Sequence, residues 1–243
     1  MDDYVKFLDE LPQHVREQLE KITENTDDGK MNEFKEIIHE FCSVAEKYSH
    51  SMDDLNRFVA TNTKRIEFGI QSKCLHRGYY CPSPIIDLLV NGTKRGKLTK
   101  ALRKTTKECY QYNFDENDHM LSIEHYYSYP HDSMHETEFI IKENDVEYGV
   151  TFQNEWMEVS QISKVVYNDD LVQSYTSGGY HKSLSTDYMS FDHEEYFYTG
   201  TILTRAVVYF NVSPALNLYD KYECIIRYDD DGEILEFDVT SDY

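Results

Sequence analysis

Apolar residues near the start of the chain recur at steps of three and four. Met31, Phe34, Ile37, Ile38, Phe41, Cys42 and Ala45 form one stripe, which predicts an amphipathic helix. Val15, Leu19 and Ile22 form a shorter stripe before it, and Pro12 suits a first helical turn there. Between the two, TENTDDGK breaks the pattern with polar residues and a glycine. Ser51 is a candidate cap for a further helix carrying Leu55, Phe58 and Val59.

From about Glu67 the period changes to that of strands. CPSPIIDLLVNGTKRG, with its prolines and Asn-Gly, reads as loop-rich. Strands are then expected at ECYQYNF, HMLSIEHYY, ETEFIIKE, VEYGVTFQ, EVSQISKVVY, LVQSYTS, EYFYTGTILTRAVVYF, KYECIIRYD and EILEFDVT. Short strands at regular spacing indicate an antiparallel meander or sandwich. The expected fold is therefore α+β. A helical region (1–66) precedes a basic, loop-rich connecting segment (67–107) and an acidic antiparallel β region (108–243) built of successive hairpins.

One pattern is written more than once. Phe114–Tyr126 (FDENDHMLSIEHY) aligns without a gap to Tyr228–Thr240 (YDDDGEILEFDVT), and VVYNDDLVQSYTS from Val165 is a poorer copy. Each reads as a strand, an acidic or amide-rich turn and a returning strand. A repeated hairpin explains this better than a repeated active site.

Charge sharpens the division. Residues 1–66 carry 9 basic and 15 acidic side chains, residues 67–107 carry 9 and 2, and residues 108–243 carry 6 and 28. An acidic body repels nucleic acid and anionic membranes and attracts basic partners. The start MDDYVKFLDELPQ has neither a basic n-region nor an apolar h-region, and no apolar run is long enough to span a bilayer. Five cysteines at irregular spacing fit a reduced, cytoplasmic protein.

Motifs for chemistry are sparse. There is no nucleophile elbow, dinucleotide fingerprint or Walker pattern. SYTSGGYH reads as a hairpin loop at Gly178–Gly179. YDDDGEILEFD fails the EF-hand spacing at its first position, where Arg227 stands. Cys74, His76 and Cys81 form C-x-H-x4-C without a tight C-x2-C pair; among His119, His125, His131 and His135 the last two have H-x3-H spacing, but they flank a turn (YPHDSMHE) rather than ride a helix. No cofactor and no catalytic residue is expected; a zinc-containing domain around either group is one alternative.

The acids of the β region cluster beside tyrosines. The candidate partner-binding residues are Asp115, Glu116 and Asp118; Asp192, Glu194, Glu195, Tyr196 and Tyr198; and Tyr228, Asp229, Asp230, Asp231 and Glu233. Charge steers a basic partner and aromatic anchors hold it. The basic residues Lys94, Arg95, Lys97, Lys100, Arg103, Lys104 and Lys107 are expected to lie across the acidic sheet and neutralise it.

YQYNFDENDHMLSIEHYY and YECIIRYDDDGEILEFDV resemble the strand–turn–strand units of YD-repeat proteins. The whole chain, a short helical start before a tyrosine-rich acidic sheet, is similar to candidate immunity proteins encoded beside bacterial polymorphic toxins. That resemblance implies an immunity role; together with the charge, it sets the expectation of a cytoplasmic, non-enzymatic protein that occludes the active surface of a cognate toxin, a basic protein such as a nuclease, without a cofactor, nucleic acid or membrane. It carries over no site residue. Docking of a partner through the N-terminal helices is the other alternative.

Overall fold

The computed structural model describes residues 28–71, 74, 96–103, 106–128, 134–180, 189–214, 217–229 and 234–241. The stripe of Val15, Leu19 and Ile22 lies outside them, as do His76, Cys81, His131, Lys94, Arg95, Lys104, Asp230, Asp231 and Glu233. Among the described residues two helices come first: α1 (Asp28–Tyr48) and α2 (Met52–Asn62). The first turn of α1 falls within TENTDDGK, so the helix starts before the apolar stripe does. Ser51 precedes α2, but its side chain makes no capping hydrogen bond; its carbonyl accepts from the Leu55 N–H instead.

The strands among the described residues form one antiparallel sheet. Its strands are β1 (Arg65–Ile70), β2 (Lys97–Thr99), β3 (Lys107–Phe114), β4 (Met120–Ser128), β5 (Met134–Glu143) and β6 (Val146–Gln153). They continue with β7 (Glu158–Asn168), β8 (Leu171–Gly179), β9 (Phe191–Thr199), β10 (Ile202–Ser213), β11 (Leu218–Tyr228) and β12 (Ile234–Ser241). From β12 back to β3 each strand pairs with its neighbour in sequence, and β1 then lies between β3 and β2. The expected hairpins thus form a meander rather than a sandwich. The connecting segment also contributes to it: β1 crosses residue 66, and β2 forms the sheet edge.

Two local expectations change. EYFYTGTILTRAVVYF is not one strand but the β9–β10 hairpin, which turns at Gly200 with φ +63°. Gly178 and Gly179 finish β8 instead of forming a loop. Gly178 pairs with Phe191, and a Cβ added there would lie 2.8 Å from the Phe191 Cβ. A glycine lets the two strands approach under that ring.

Each face of the sheet carries its own apolar layer. Ser122, Phe139, Val150, Ile162, Gly178 and Phe191 are successive cross-strand partners. Most of this row joins Phe34, Ile38, Phe41 and Ala45 of α1 in one cluster. The alternate positions form a second cluster, with Tyr112, Tyr175, Tyr196, Val208 and Cys224 among its members. Burial on both faces explains the uninterrupted run AVVYF in β10. Gly149 faces this second layer between the buried Glu138 and Ser163, whose side-chain oxygens would clash with any Cβ placed there. Gly149→Ala is expected to cost about 2 kcal/mol through overpacking, read as a lower urea midpoint with an unchanged slope.

Candidate binding rim

A meander places alternate turns at the same end of its strands. The β3–β4, β5–β6, β7–β8, β9–β10 and β11–β12 turns therefore share one rim. All but the β9–β10 turn are acidic. The rim carries Asp115, Glu116 and Asp118, then Glu143 and Asp145, then Asp169 and Asp170, then Asp229. The recurrent pattern in the sequence is thus a set of hairpins that turn at the same end.

Part of this acidity serves the turns. Asp118, Asn144, Asp169 and Asp170 have positive φ, which Asp and Asn tolerate better than most residues. The Asp115 carboxylate accepts from the backbone N–H of Asn117 at 2.8 Å and of His119 at 2.9 Å. Burial opposes its ionisation, but these two donors hold its carboxyl below the usual range.

Other acids on the rim are paired. Arg65 donates from Nε to Asp118 at 3.0 Å and lies over the Phe114 ring. Lys47 meets Glu143 at 2.7 Å, and Lys142 meets Glu147 at 3.7 Å. Glu116, Asp145, Asp169 and Asp170 are exposed and have no ion-pair partner among the described residues. These four are exposed rim charges left without a counter-ion among the described residues.

The β9 acids do not belong to this surface. Glu194 is fully buried and accepts from the Tyr196 hydroxyl, and Tyr196 is itself buried. Asp192 accepts from the Asn211 N–H at 3.2 Å. Tyr198 and Tyr228 are half-buried against the second apolar layer, and the Tyr228 hydroxyl donates to the Leu203 carbonyl at 2.9 Å. Glu194 and Tyr196 are therefore core residues, whereas Tyr198 and Tyr228 stand partly buried at the rim ends of β9 and β11.

Glu195 faces α1 instead. Lys30 bridges it to Glu33, with 2.9 Å to the latter, while its ammonium lies 5.2 Å from the Phe34 ring centroid and 5.1 Å from that of Tyr209. His193 is buried beside them, hydrogen-bonded to Thr176 Oγ1 at 2.8 Å. Glu33, His193 and Glu195 have donor atoms close enough for a metal ion. The Lys30 ammonium already meets both carboxylates, so the trio works as an ion-pair clasp between α1 and β9.

Two of the histidines considered from the sequence, His119 and His125, lie toward opposite ends of β4. His119 sits at the acidic rim, 3.5 Å from Asp115, whereas His125 lies toward the far end of β4, stacked on Tyr110 at 4.5 Å. His135 is on β5. Cys74 is buried and its backbone N–H donates to the Tyr112 hydroxyl at 3.0 Å. Nor do the described basic residues cover the acids. Lys97 lies on the edge strand β2, Lys100 and Arg103 follow it, and Lys107 opens β3, all exposed and at the opposite side of the sheet from β12.

A groove also opens at the rim, between α2 and the rim ends of β4, β5 and β6. It encloses about 370 Å³. Leu55, Phe58, Leu121, Phe139 and Ile141 form its apolar wall, and Asp115, His119, Lys142 and Glu147 stand at its polar side. Phe58 is 55% exposed, while Val59 is buried in the core. The apolar residues of α2 therefore divide: Val59 holds the helix to the sheet and Phe58 forms a lip. Spacing alone placed Phe58 with the others because it follows Leu55 by three.

No family model, curated protein or solved structure matches the chain. No helix among the described residues is long and apolar enough to cross a membrane.

Proposed function

We propose that this is a non-enzymatic binding protein, an immunity protein that captures a basic toxin with its acidic rim and occludes the toxin's active surface in the cytoplasm. The observation that carries the reading is the alignment of acidic turns on one rim, with Glu116, Asp145, Asp169 and Asp170 exposed and unpaired among the described residues. Acids gathered at one end produce a directional field, which accelerates encounter with a basic surface. Docking through the helices has less support, because Phe34 and Phe41 of α1 are fully buried against the sheet.

The test is rescue. The C-terminal domain of the protein encoded directly upstream is expressed with and without this chain. Killing that the chain reverses, with the two proteins co-purifying, supports the reading; a harmless domain, or one that kills regardless, removes it. Within a complex so obtained, combining Asp145→Lys with Asp169→Asn and Asp170→Asn is expected to slow association about tenfold at low salt. Asparagine is chosen because it keeps the positive φ of those two positions. The same variant should melt within about 0.5 kcal/mol of the wild type, as exposed substitutions generally do.

A further inference from the structure

We infer that the groove beside α2 receives one large apolar side chain of the basic partner, held between lysines or arginines that meet the rim acids. The inference rests on the rim reading and deepens it by naming what the partner must carry.

Three features point to that occupant. The volume of about 370 Å³ is near the lower end for ligand sites, which run about 300–1,000 Å³, and suits one bulky side chain better than a docked helix. The wall is apolar and its lip, Phe58, is exposed, so an anchor entering there is desolvated on both sides. The polar lining is mixed, Asp115 and Glu147 standing beside His119 and Lys142, but the turn that leads to Glu147 adds Asp145, which is exposed and has no ion-pair partner among the described residues.

Charge also separates this occupant from the chain's own candidates. Residues 1–27 carry 8 acidic and 3 basic side chains, the wrong sign for this rim. A second copy of a chain with net charge −21 brings like charge to like.

The test uses the full chain and two synthetic peptides, acetyl-KRKWKRK-amide and acetyl-KRKSKRK-amide, titrated by calorimetry in about 0.15 M salt. The tryptophan peptide is expected to bind about tenfold more tightly than the serine peptide, a discount on full burial of an aromatic. Phe58→Ser should abolish that preference and leave the serine peptide unchanged. The rim variant described above should weaken both peptides equally. Equal binding of the two peptides, still sensitive to the rim variant, overturns the groove and leaves the rim. A tryptophan preference that survives Phe58→Ser also overturns it. Binding of neither peptide, or insensitivity of both to the rim variant, overturns rim and groove together. A wild-type dimer that Phe58→Ser dissociates in light scattering assigns the groove to a second copy and overturns the inference.

Discussion

Replacing Phe34 with alanine is expected to destabilise the fold by about 4 kcal/mol, the range found when a fully buried phenylalanine is truncated. The side chain is completely buried. Its ring meets Phe191 at 5.5 Å, His193 at 5.6 Å, Tyr209 at 5.2 Å and Tyr219 at 5.6 Å, each at an edge-to-face angle. These partners come from β9, β10 and β11. The hole left by alanine is walled by strands whose positions are fixed by their own hydrogen bonds, so it cannot close easily. Thermal unfolding should move down by roughly 10 °C for a chain of this length. A loss below about 1 kcal/mol would mean that α1 contributes little to the core.

Removing the charge of Lys30 has the second largest expected effect. Lys30→Met leaves the carboxylates of Glu33 and Glu195 beside an apolar cluster without their cation. The cost at neutral pH should be about 2–3 kcal/mol, less than for a fully buried pair because Glu33 reaches solvent. The pH dependence identifies the cause. Burial opposes ionisation of Glu195, but His193 and Lys30 prevail and hold its carboxyl at about 2, below its ordinary 4.5. A carboxyl depressed in this way contributes its full stability above pH 4.5 and loses it as pH falls toward 2. Burial likewise opposes the charge on Lys30, yet Glu195 and Glu33 raise its pKa above the ordinary 10.5. That contribution is complete below pH 10.5 and disappears only in more alkaline solution. Urea unfolding of wild type should therefore weaken between pH 4.5 and 2, and Lys30→Met should weaken less over the same interval. Parallel curves for the two proteins would show that the clasp is not the source.

The meander was legible because its signals are local. VEYGVTFQ alternates between Asn-Asp and a turn, and β6 has the bounds that pattern gives. The repeated acidic turns likewise announce hairpins. What the pattern conceals is the second face. In EEYFY the acids look like solvent-facing residues, yet Glu194 faces a buried layer and Glu195 faces a helix that lies far away in sequence. No local rule distinguishes those two positions from the acids of a turn. The rim has the same character. Each turn can be read separately, but their common end follows only from knowing that the strands pair in sequence order. Phe58 shows the converse problem, since three-residue spacing identifies a helix face without saying whether the sheet reaches that far.

The order of the sheet also bears on how the chain assembles as it is made. Neighbouring strands are neighbours in sequence, so most pairings close short loops and can form as each strand appears. Helix α1 cannot follow that schedule. Lys30 and Glu195 are 165 residues apart, which at about 5–20 residues per second leaves the helix waiting roughly 10–30 s for β9. During that interval Phe34 lacks the residues of β9, β10 and β11 that finally cover it, so the first half of α1 docks well after its second half, whose Glu40 and Lys47 meet β5, β6 and β7.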